Sequence, residues 1–440
     1  MNVLYIHTHD TGRYIQPYGY NMPTPNLMEL AKEGTLFRHA YSAAPTCSPS
    51  RSAMLTGMAP HSCGMIGLAH RGFQLNDYSQ HLVQYLNQNG FESVLCGVQH
   101  EARNPKTIGY HHILKDIDSN EKNRRVDSVT EDITNAQLVA DYIKSEKDKQ
   151  FFLSLGLQNT HRIFPEISDE VDPNYVMPPF PFYDNEQNRK DMAGYMTSVS
   201  VVDQCVGMVM QALKESGHEA DTLVIFTTDH GIAFANMKCN LYDTGIGVSL
   251  ILKYPGNKRK GEALDTLVSQ IDLYPTICDL LDLEQPAWLQ GYSLQALLNR
   301  ETDRVRNEIF SEVTYHAAYE PMRCVRTERY KLIKFFDNHD RYVPANMDDS
   351  LSKDFLLEHQ YLQQSREKEM LFDHYLDPVE RVNLVENQSY KKVYADLSSR
   401  LNNWMEETAD PLLSEGKVPK PIGAKANKLS CISPTEKNFE

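Results

Sequence analysis

The chain has 440 residues, a length that suits one large domain followed by a smaller one. Hydrophobic residues make up 41% of the sequence and charged residues 23%, which is typical of a globular protein and excludes a largely disordered chain. The net charge of −15 argues against nucleic acid or an anionic membrane as a partner, because both require a basic surface.

The eight cysteines are scattered, with no C-x-x-C pair and no compact disulfide spacing. Such a pattern suits a reducing compartment. Met1-Asn2 leads directly into an apolar run without a basic leader, and no stretch approaches 18 apolar residues. We therefore expect a soluble cytoplasmic protein, and the sequence does not predict its oligomeric state.

The first predicted element is a short buried strand from Val3 to His7, followed by a polar segment that contains Asp10. Ligands of open α/β sheets bind at the carboxyl ends of the strands, so Asp10 becomes a candidate ligand. An Asx turn would explain the same aspartate. A helix is predicted next, with Pro25 at its first position and Gly34 at its end.

The stretch from Cys47 to Gly57 reads C-S-P-S-R-S-A-M-L-T-G and combines a thiol, a rigid turn and a cation. Pro49 disfavours a helical conformation at the residue before it, so Cys47 is expected just before a helix start. Arg51 would follow on the first helical turn, close to any anion formed at position 47. A buried structural cysteine before a capped helix is the alternative for C-x-P-x-R alone.

The full run resembles the signature of the formylglycine sulfatases, a family of the alkaline phosphatase superfamily. Cys47, Pro49 and Arg51 match its C-x-P-x-R element, and residues 55–57 match its downstream L-T-G. The resemblance extends over residues 2–405. It implies that a formylglycine-generating maturation enzyme oxidises Cys47 to 3-oxoalanine, whose hydrate supplies the nucleophile and is held by Arg51.

Strands and helices alternate along the first part of the chain. The predicted elements are a helix at 79–89, a strand at 91–96, a helix at 130–145, a strand at 151–157, a helix at 191–215 and a strand at 222–228. This alternation predicts an α/β fold with a large, mostly parallel sheet sandwiched by helices, alkaline phosphatase-like as the resemblance implies. A charged segment near 301–306 divides a catalytic domain, 1–305, from a smaller C-terminal α+β domain, 306–440, that contains an antiparallel sheet.

Candidate metal ligands follow two of the predicted strands. Asp229 and His230 offer an oxygen and a nitrogen ligand, and Gly231 permits close backbone approach. They resemble the sulfatase Asp-His/Asn-Gly metal element; Asp10 matches the second aspartate of the family's Asp-Asp pair, and His9 replaces the first. The resemblance implies one divalent metal at these residues and the modified Cys47. Ca²⁺ is expected, and the imidazole at position 9 leaves Mn²⁺ or Zn²⁺ open.

Three further positions match catalytic residues of the family. His100 matches the histidine that acts on the formylglycine hydroxyl, His161 the histidine that donates to the sulfate, and Lys238 the basic residue that clamps it. Val98 stands where the family has a lysine, so one cationic anchor is missing. Taken alone, a histidine at a strand end is more often structural than catalytic.

The run from Glu312 to His316, followed by Tyr-Glu-Pro-Met-Arg ending at Arg323, resembles the heparan N-sulfatase branch, as does Arg162 after His161. A stretch of the small domain that leans over the pocket would let Glu312 and His316 bind sugar hydroxyls and Arg323 bind a carboxylate or sulfate. A domain-interface strand with an internal salt bridge is the alternative.

Three functions remain open. The first is a sulfatase acting on a small sulfated sugar, since the net charge disfavours a long polyanion. The second is a phosphodiesterase or phosphonate monoester hydrolase of the same superfamily, favoured by Val98 and by the imidazole of His9. The third is a non-catalytic glycan-binding protein, which requires that Cys47 is never oxidised.

Overall fold

The large sheet of this computed structural model contains eight strands. The structure describes residues 1–116, 128–145 and 149–440. The strands are β1 (Asn2–Thr8), β2 (Thr35–Tyr41), β3 (Glu92–Gly97), β4 (His112–Asp116), β5 (Phe151–Gly156), β6 (Thr222–Thr228), β7 (Leu250–Lys253) and β8 (Glu262–Ser269). Their order is β4-β3-β5-β1-β6-β7-β2-β8, and β7 runs antiparallel to both neighbours while the other pairs are parallel. The predicted mostly parallel sheet is confirmed.

Helices cover both faces of this sheet. They are α1 (Pro25–Glu33), α2 (Cys47–Thr56), α3 (Pro60–Cys63), α4 (Leu82–Gln88), α5 (Ser128–Lys144), α6 (Glu186–Glu215), α7 (Asp243–Ile246), α8 (Leu273–Leu280) and α9 (Gln295–Leu298). The central strand β1 is buried on both faces: Leu4 and Ile6 pack in the core cluster that contains α1, α5 and α6, whereas Val3 and Tyr5 pack in the cluster that contains α2, α4 and α8. This alternation follows from the two-residue period of a strand.

Helix α6 is the longest helix of the described residues. Its 30 residues are long and apolar enough to cross a membrane, but 61% of its most apolar window is buried inside the protein. The residues Tyr195, Val202 and Val206 belong to the main core cluster. We therefore interpret α6 as a core helix.

A second sheet lies in the C-terminal part of the chain. Strands β9 (Glu308–Tyr315), β10 (Tyr319–Thr327), β11 (Tyr330–Phe335) and β12 (Glu369–Asp373) are antiparallel and ordered β12-β11-β10-β9. Helix α10 (Leu351–Glu358) packs against α6, α11 (Lys391–Glu407) packs on β10 and β11, and α12 (Pro411–Glu415) follows α11. The predicted smaller antiparallel sheet is confirmed, while the division at residue 305 stays a prediction.

The starts of α2 and α6 differ from the sequence-based expectation. Cys47 is the first residue of α2 rather than the residue before it, and the extended N-cap is Thr46. Pro49 fits inside the first turn because the amides there need no intrahelical acceptor. Helix α6 starts at Glu186 instead of 191, where the Asn185 side chain accepts a hydrogen bond from the Asn188 amide and caps the helix.

Candidate active site

Polar segments at the carboxyl ends of three neighbouring strands meet at one edge of the large sheet. Because β1 pairs with both β5 and β6, residues 9–10, 159–161 and 229–230 begin side by side. The Thr160 amide donates to the His9 carbonyl at 3.0 Å. The Asp10 amide donates to Oδ1 of Asp229 at 2.9 Å. The parallel pairing of the strands therefore brings the predicted site residues together at the carboxyl ends of the strands, where open α/β sheets bind their ligands.

Cys47 reaches this edge from the first turn of α2. Its Sγ lies 3.5 Å from Nε2 of His230, and the side chain is buried. Burial raises the pKa of the Cys47 thiol far above its usual value and outweighs the opposing effect of the Lys238 ammonium. The unmodified thiol stays protonated and is a poor nucleophile.

The side chains around Cys47 have the composition of a cation site. Ligand atoms of His9, Asp10, Cys47 and Asp229 all lie within 4.8 Å of one another, and all four residues are buried. Nε2 of His230 lies 3.3 Å from Oδ1 of Asp10. Among the residues that the structure describes, Nε2 of His9 and Oδ1 of Asp10 have no hydrogen-bond partner, while Nδ1 of His9 lies 3.3 Å from Oδ2 of Asp229. Buried polar atoms without partners are costly, so these residues fit a divalent cation.

Arg51 lies beneath the cluster and supports one of its carboxylates. Its Nη2 donates to Oδ2 of Asp229 at 3.0 Å and to the Thr8 carbonyl at 2.8 Å, and Nη1 contacts Nδ1 of His7. Burial opposes ionisation of Asp229, but His230 and Arg51 hold its pKa well below the usual value. The prediction placed Arg51 against an anion at position 47; in the structure its guanidinium pairs with Asp229, and its charge also favours an anion at position 47.

The loop that carries His161 is held by a buried carboxylate on α5. Asp132 accepts hydrogen bonds from the backbone amides of Gln158 and Asn159, both at 2.8 Å, and from the Asn159 side chain at 2.7 Å. The other end of the Asn159 side chain accepts from Ser198 on α6 at 2.7 Å. These contacts fix the loop that pairs with His9 and presents His161.

Lys238 joins the cation cluster to the open side of the site. Its Nζ lies 3.0 Å from Oδ2 of Asp10, 2.9 Å from Oδ2 of Asp348 and 3.5 Å from Nε2 of His161. Burial opposes the charge of Lys238, but the two carboxylates raise its pKa well above the usual value. Burial and the ammonium lower the pKa of His161. A cation and a neutral imidazole beside Cys47 can bind the oxygens of a tetrahedral anion.

Comparison with known proteins shows which family the chain belongs to. The sulfatase family profile matches residues 1–283, more than half of the chain. The chain belongs to the sulfatase family. A second profile, that of the C-terminal region of N-sulphoglucosamine sulphohydrolase, matches residues 234–348 of this sulfatase. The enzyme class is therefore sulfuric ester hydrolase.

Similar proteins extend the comparison. Human N-sulphoglucosamine sulphohydrolase is 29% identical, with 92% of this chain and 89% of the relative covered. A solved 2-O GAG sulfatase has a TM-score of 0.73 at 22% identity and covers 96% of both chains. The phosphonate monoester hydrolase of Agrobacterium radiobacter has a TM-score of 0.72 at 18% identity, with 92% of this chain and 96% of that chain covered. The two solved structures show the fold alone.

His100 lies at the edge of the sulfatase site, and Val98 lies outside its polar part. The rings of His100 and His9 have centroids 4.7 Å apart. The backbones of His100 and Asp10 are left-handed, with φ of 75° and 49°, which costs energy in residues with side chains and is typical of functional sites. Val98 is buried and apolar, so nothing at that position replaces the missing lysine.

The structure corrects the assignment of Glu312 and Arg323 as sugar ligands. These residues are cross-strand partners in β9 and β10, and both side chains are almost fully buried. Glu312 Oε2 lies 2.6 Å from Nδ1 of His61 and 3.0 Å from Nε of Arg323, whose guanidinium also binds Asp410 at 2.6 Å. The internal salt bridge, the alternative from the sequence, satisfies both charges.

His316 remains near the site, together with an acid that sequence reasoning missed. Nδ1 of His316 is buried without a hydrogen-bond partner among the described residues. Burial and the Lys238 ammonium lower the pKa of His316, and Asp348 opposes this effect. Asp348 follows β11 in an irregular segment before α10, and a single aspartate in a loop carries no pattern that predicts its position in the fold.

The buried carboxyl group of Glu101, next to His100 in the chain, is expected to make the free energy of unfolding depend on pH. Burial raises the pKa of its carboxyl from 4.5 to about 8, although the Arg51 guanidinium opposes the shift. Between these two pH values the folded protein binds more protons than the unfolded chain, so stability falls as pH rises through that window. Glu101→Gln copies the neutral form, and we expect it to raise the free energy of unfolding by about 1–3 kcal/mol at pH 8.

Urea unfolding at pH 5 and pH 8 checks this expectation. The exposed Glu29→Gln substitution is the control, and it should keep the difference in stability that the wild type shows between the two pH values. A Glu101→Gln variant with the same difference as the wild type would show that Glu101 is already ionised in the folded protein.

Proposed function

We propose that the enzyme hydrolyses a sulfamate or sulfate ester of glucosamine at the end of a short sugar chain, with a formylglycine made from Cys47 and one bound divalent cation. The observation that carries the proposal is the convergence of His9, Asp10, Cys47 and Asp229 within 4.8 Å, next to Lys238. The substrate class is supported by the similarity to a relative named N-sulphoglucosamine sulphohydrolase over 92% of this chain.

Five residues would hold the cation: Asp10, Asp229, His230, His9 and the modified Cys47. A bound divalent cation stabilises negative charge and lowers the pKa of an adjacent hydroxyl, and formylglycine supplies that hydroxyl in its hydrated form. Two carboxylates support Ca²⁺ as our first expectation, while the imidazole of His9 keeps Mn²⁺ and Zn²⁺ as alternatives. Elemental analysis of the purified protein distinguishes the three ions.

The chain's own side chains bind and orient the substrate. Lys238 and His161, 3.5 Å apart, would bind the sulfuryl oxygens and hold the sulfur opposite position 47. Arg51 keeps Asp229 ionised and in place through a 3.0 Å contact. His100, at the rim beside His9, would accept the proton of the second hydroxyl when sulfate is released.

We also propose that the enzyme works in the cytoplasm on imported fragments and depends on a formylglycine-generating maturation enzyme. All eight cysteines are free and buried, which suits a reducing compartment. Cell fractionation tests the location. A peptide mass at Cys47 that is lighter than the thiol, together with an adduct of a carbonyl reagent, tests the modification.

A phosphonate monoester hydrolase or phosphodiesterase is the second candidate. The buried Val98, in place of a lysine, leaves the site with less positive charge, and His9 supplies an imidazole for Mn²⁺ or Zn²⁺. A third candidate, a non-catalytic glycan-binding protein, follows if Cys47 stays unmodified, since its thiol is protonated and buried.

A substrate panel distinguishes these candidates. We expect turnover of N-sulfoglucosamine or of an O-sulfated glucosamine, and faster turnover of an aryl sulfate than of the matched aryl phosphate. Preference for the phosphate would support the second candidate. Binding of sulfated sugars without any turnover, by protein whose Cys47 has the mass of the thiol, would support the third.

A further inference from the structure

One carboxylate at the site has no place in the cation cluster. Asp348 comes from the irregular segment before α10. Its Oδ2 lies 2.9 Å from Nζ of Lys238, which also pairs with Oδ2 of Asp10 at 3.0 Å. The side chains of Asp348 and His161 remain 15% and 20% exposed, whereas that of Asp10 is fully buried. Asp348 therefore faces the part of the site that a substrate enters.

A negative charge at this place opposes the binding of an anion. Burial disfavours the charged form of Asp348, but the Lys238 ammonium, 2.9 Å away, holds its pKa below the usual value, so the group is a carboxylate. Asp10 and Asp229 are accounted for as ligands of a cation. Asp348 instead competes with sulfate for the Lys238 ammonium, and this repulsion has to be offset by a favourable contact with another part of the substrate.

Sulfamates and sulfate esters differ in the charge of their leaving groups. In sulfamate hydrolysis the S–N bond breaks with its electron pair left on nitrogen, water oxygen forms the new S–O bond, and the nitrogen takes up the protons of that water. The products are an ammonium ion and a sulfate dianion, so the total charge of −1 is conserved. An ester instead releases a neutral alcohol. Positive charge develops at the leaving atom of the sulfamate only.

We propose that Asp348 is a specificity-determining residue that binds the leaving nitrogen of an N-sulfated amino sugar, with His316 as a second polar contact. The inference rests on the proposed function and adds to it a choice of sulfamate over ester. A carboxylate stabilises the ammonium that forms at the nitrogen, and gives no comparable gain for an alcohol. Nδ1 of His316, buried and unpartnered among the described residues, offers a hydrogen bond to a neighbouring sugar hydroxyl.

The test is Asp348→Asn, measured on N-sulfoglucosamine and on 4-nitrophenyl sulfate in the same preparation. We expect the ratio of kcat/KM values, sulfamate over ester, to fall about 10–100-fold. A loss of folded protein lowers both activities and leaves the ratio unchanged. The neighbouring Asp349→Asn is the matched control, because Asp349 pairs with Lys353 outside the site and should leave the ratio at the wild-type value.

A binding measurement covers the case in which the wild type turns over only one of the two substrates. Free glucosamine should inhibit the wild type more strongly than N-acetylglucosamine, and Asp348→Asn should remove this preference. Equal losses on both substrates, or a preference that survives the substitution, would overturn the inference and leave Asp348 only as a support for Lys238. If the wild type hydrolyses no sulfated sugar, the proposed function itself fails.

Discussion

Replacement of Cys47 by alanine is expected to reduce turnover below about a thousandth of the wild-type rate, because covalent catalysis normally contributes at least that factor. The fold should persist. Sγ is a small group at the first position of α2, and among the described residues its hydrogen-bond-length contact is with Nε2 of His230 at 3.5 Å. Steady-state kinetics and a thermal melt of the same sample check both expectations.

Cys63→Ala is the matched control for this substitution. Cys63 is also buried, ends the short helix α3, and donates to the Pro60 carbonyl at 3.4 Å outside the cation cluster. The Cys63→Ala variant should be somewhat less stable than the wild type and keep its activity. Residual turnover of Cys47→Ala well above a thousandth of the wild-type rate would reject position 47 as the nucleophile.

Removal of the Asp229 carboxylate is expected to affect cation binding, activity and stability together. Asp229 belongs to the cation cluster, and its Oδ1 accepts hydrogen bonds from the amides of Asp10 and His230, both at 2.9 Å. Asp229→Ala also leaves the buried Arg51 without its carboxylate partner. Loss of one partner of a buried ion pair typically costs about 3–5 kcal/mol. Elemental analysis, kinetics and urea unfolding measure the three effects.

Asp203→Asn separates the loss of a buried acid from the loss of the cation site. Asp203 lies on α6 and accepts hydrogen bonds from the amides of Asn26 and Leu27 at the start of α1. This control should be less stable than the wild type and still contain the cation. If Asp229→Ala keeps a stoichiometric divalent ion, Asp229 is not a ligand.

Much of the site follows from local sequence pattern. Asp10, His161 and Asp229 follow apolar strands, and a parallel sheet brings the carboxyl ends of its strands to one edge. The run from Cys47 likewise predicts a helix start that presents a thiol. The two-residue alternation of a strand and the residues that begin and end a helix are local features of the sequence. The order of the elements and the direction of these side chains can therefore be predicted from the chain alone.

The sequence by itself determined the fold class, the α/β alternation, and most of the residues that gather around Cys47. The tertiary structure alone decided which charges remain available to a substrate. Glu312 and Arg323 pair across β9 and β10, and Arg323 also binds Asp410, whereas Asp348 reaches Lys238 from a distant segment. Charge pairing depends on distances between residues far apart in the chain and on their burial, and no local pattern encodes either quantity.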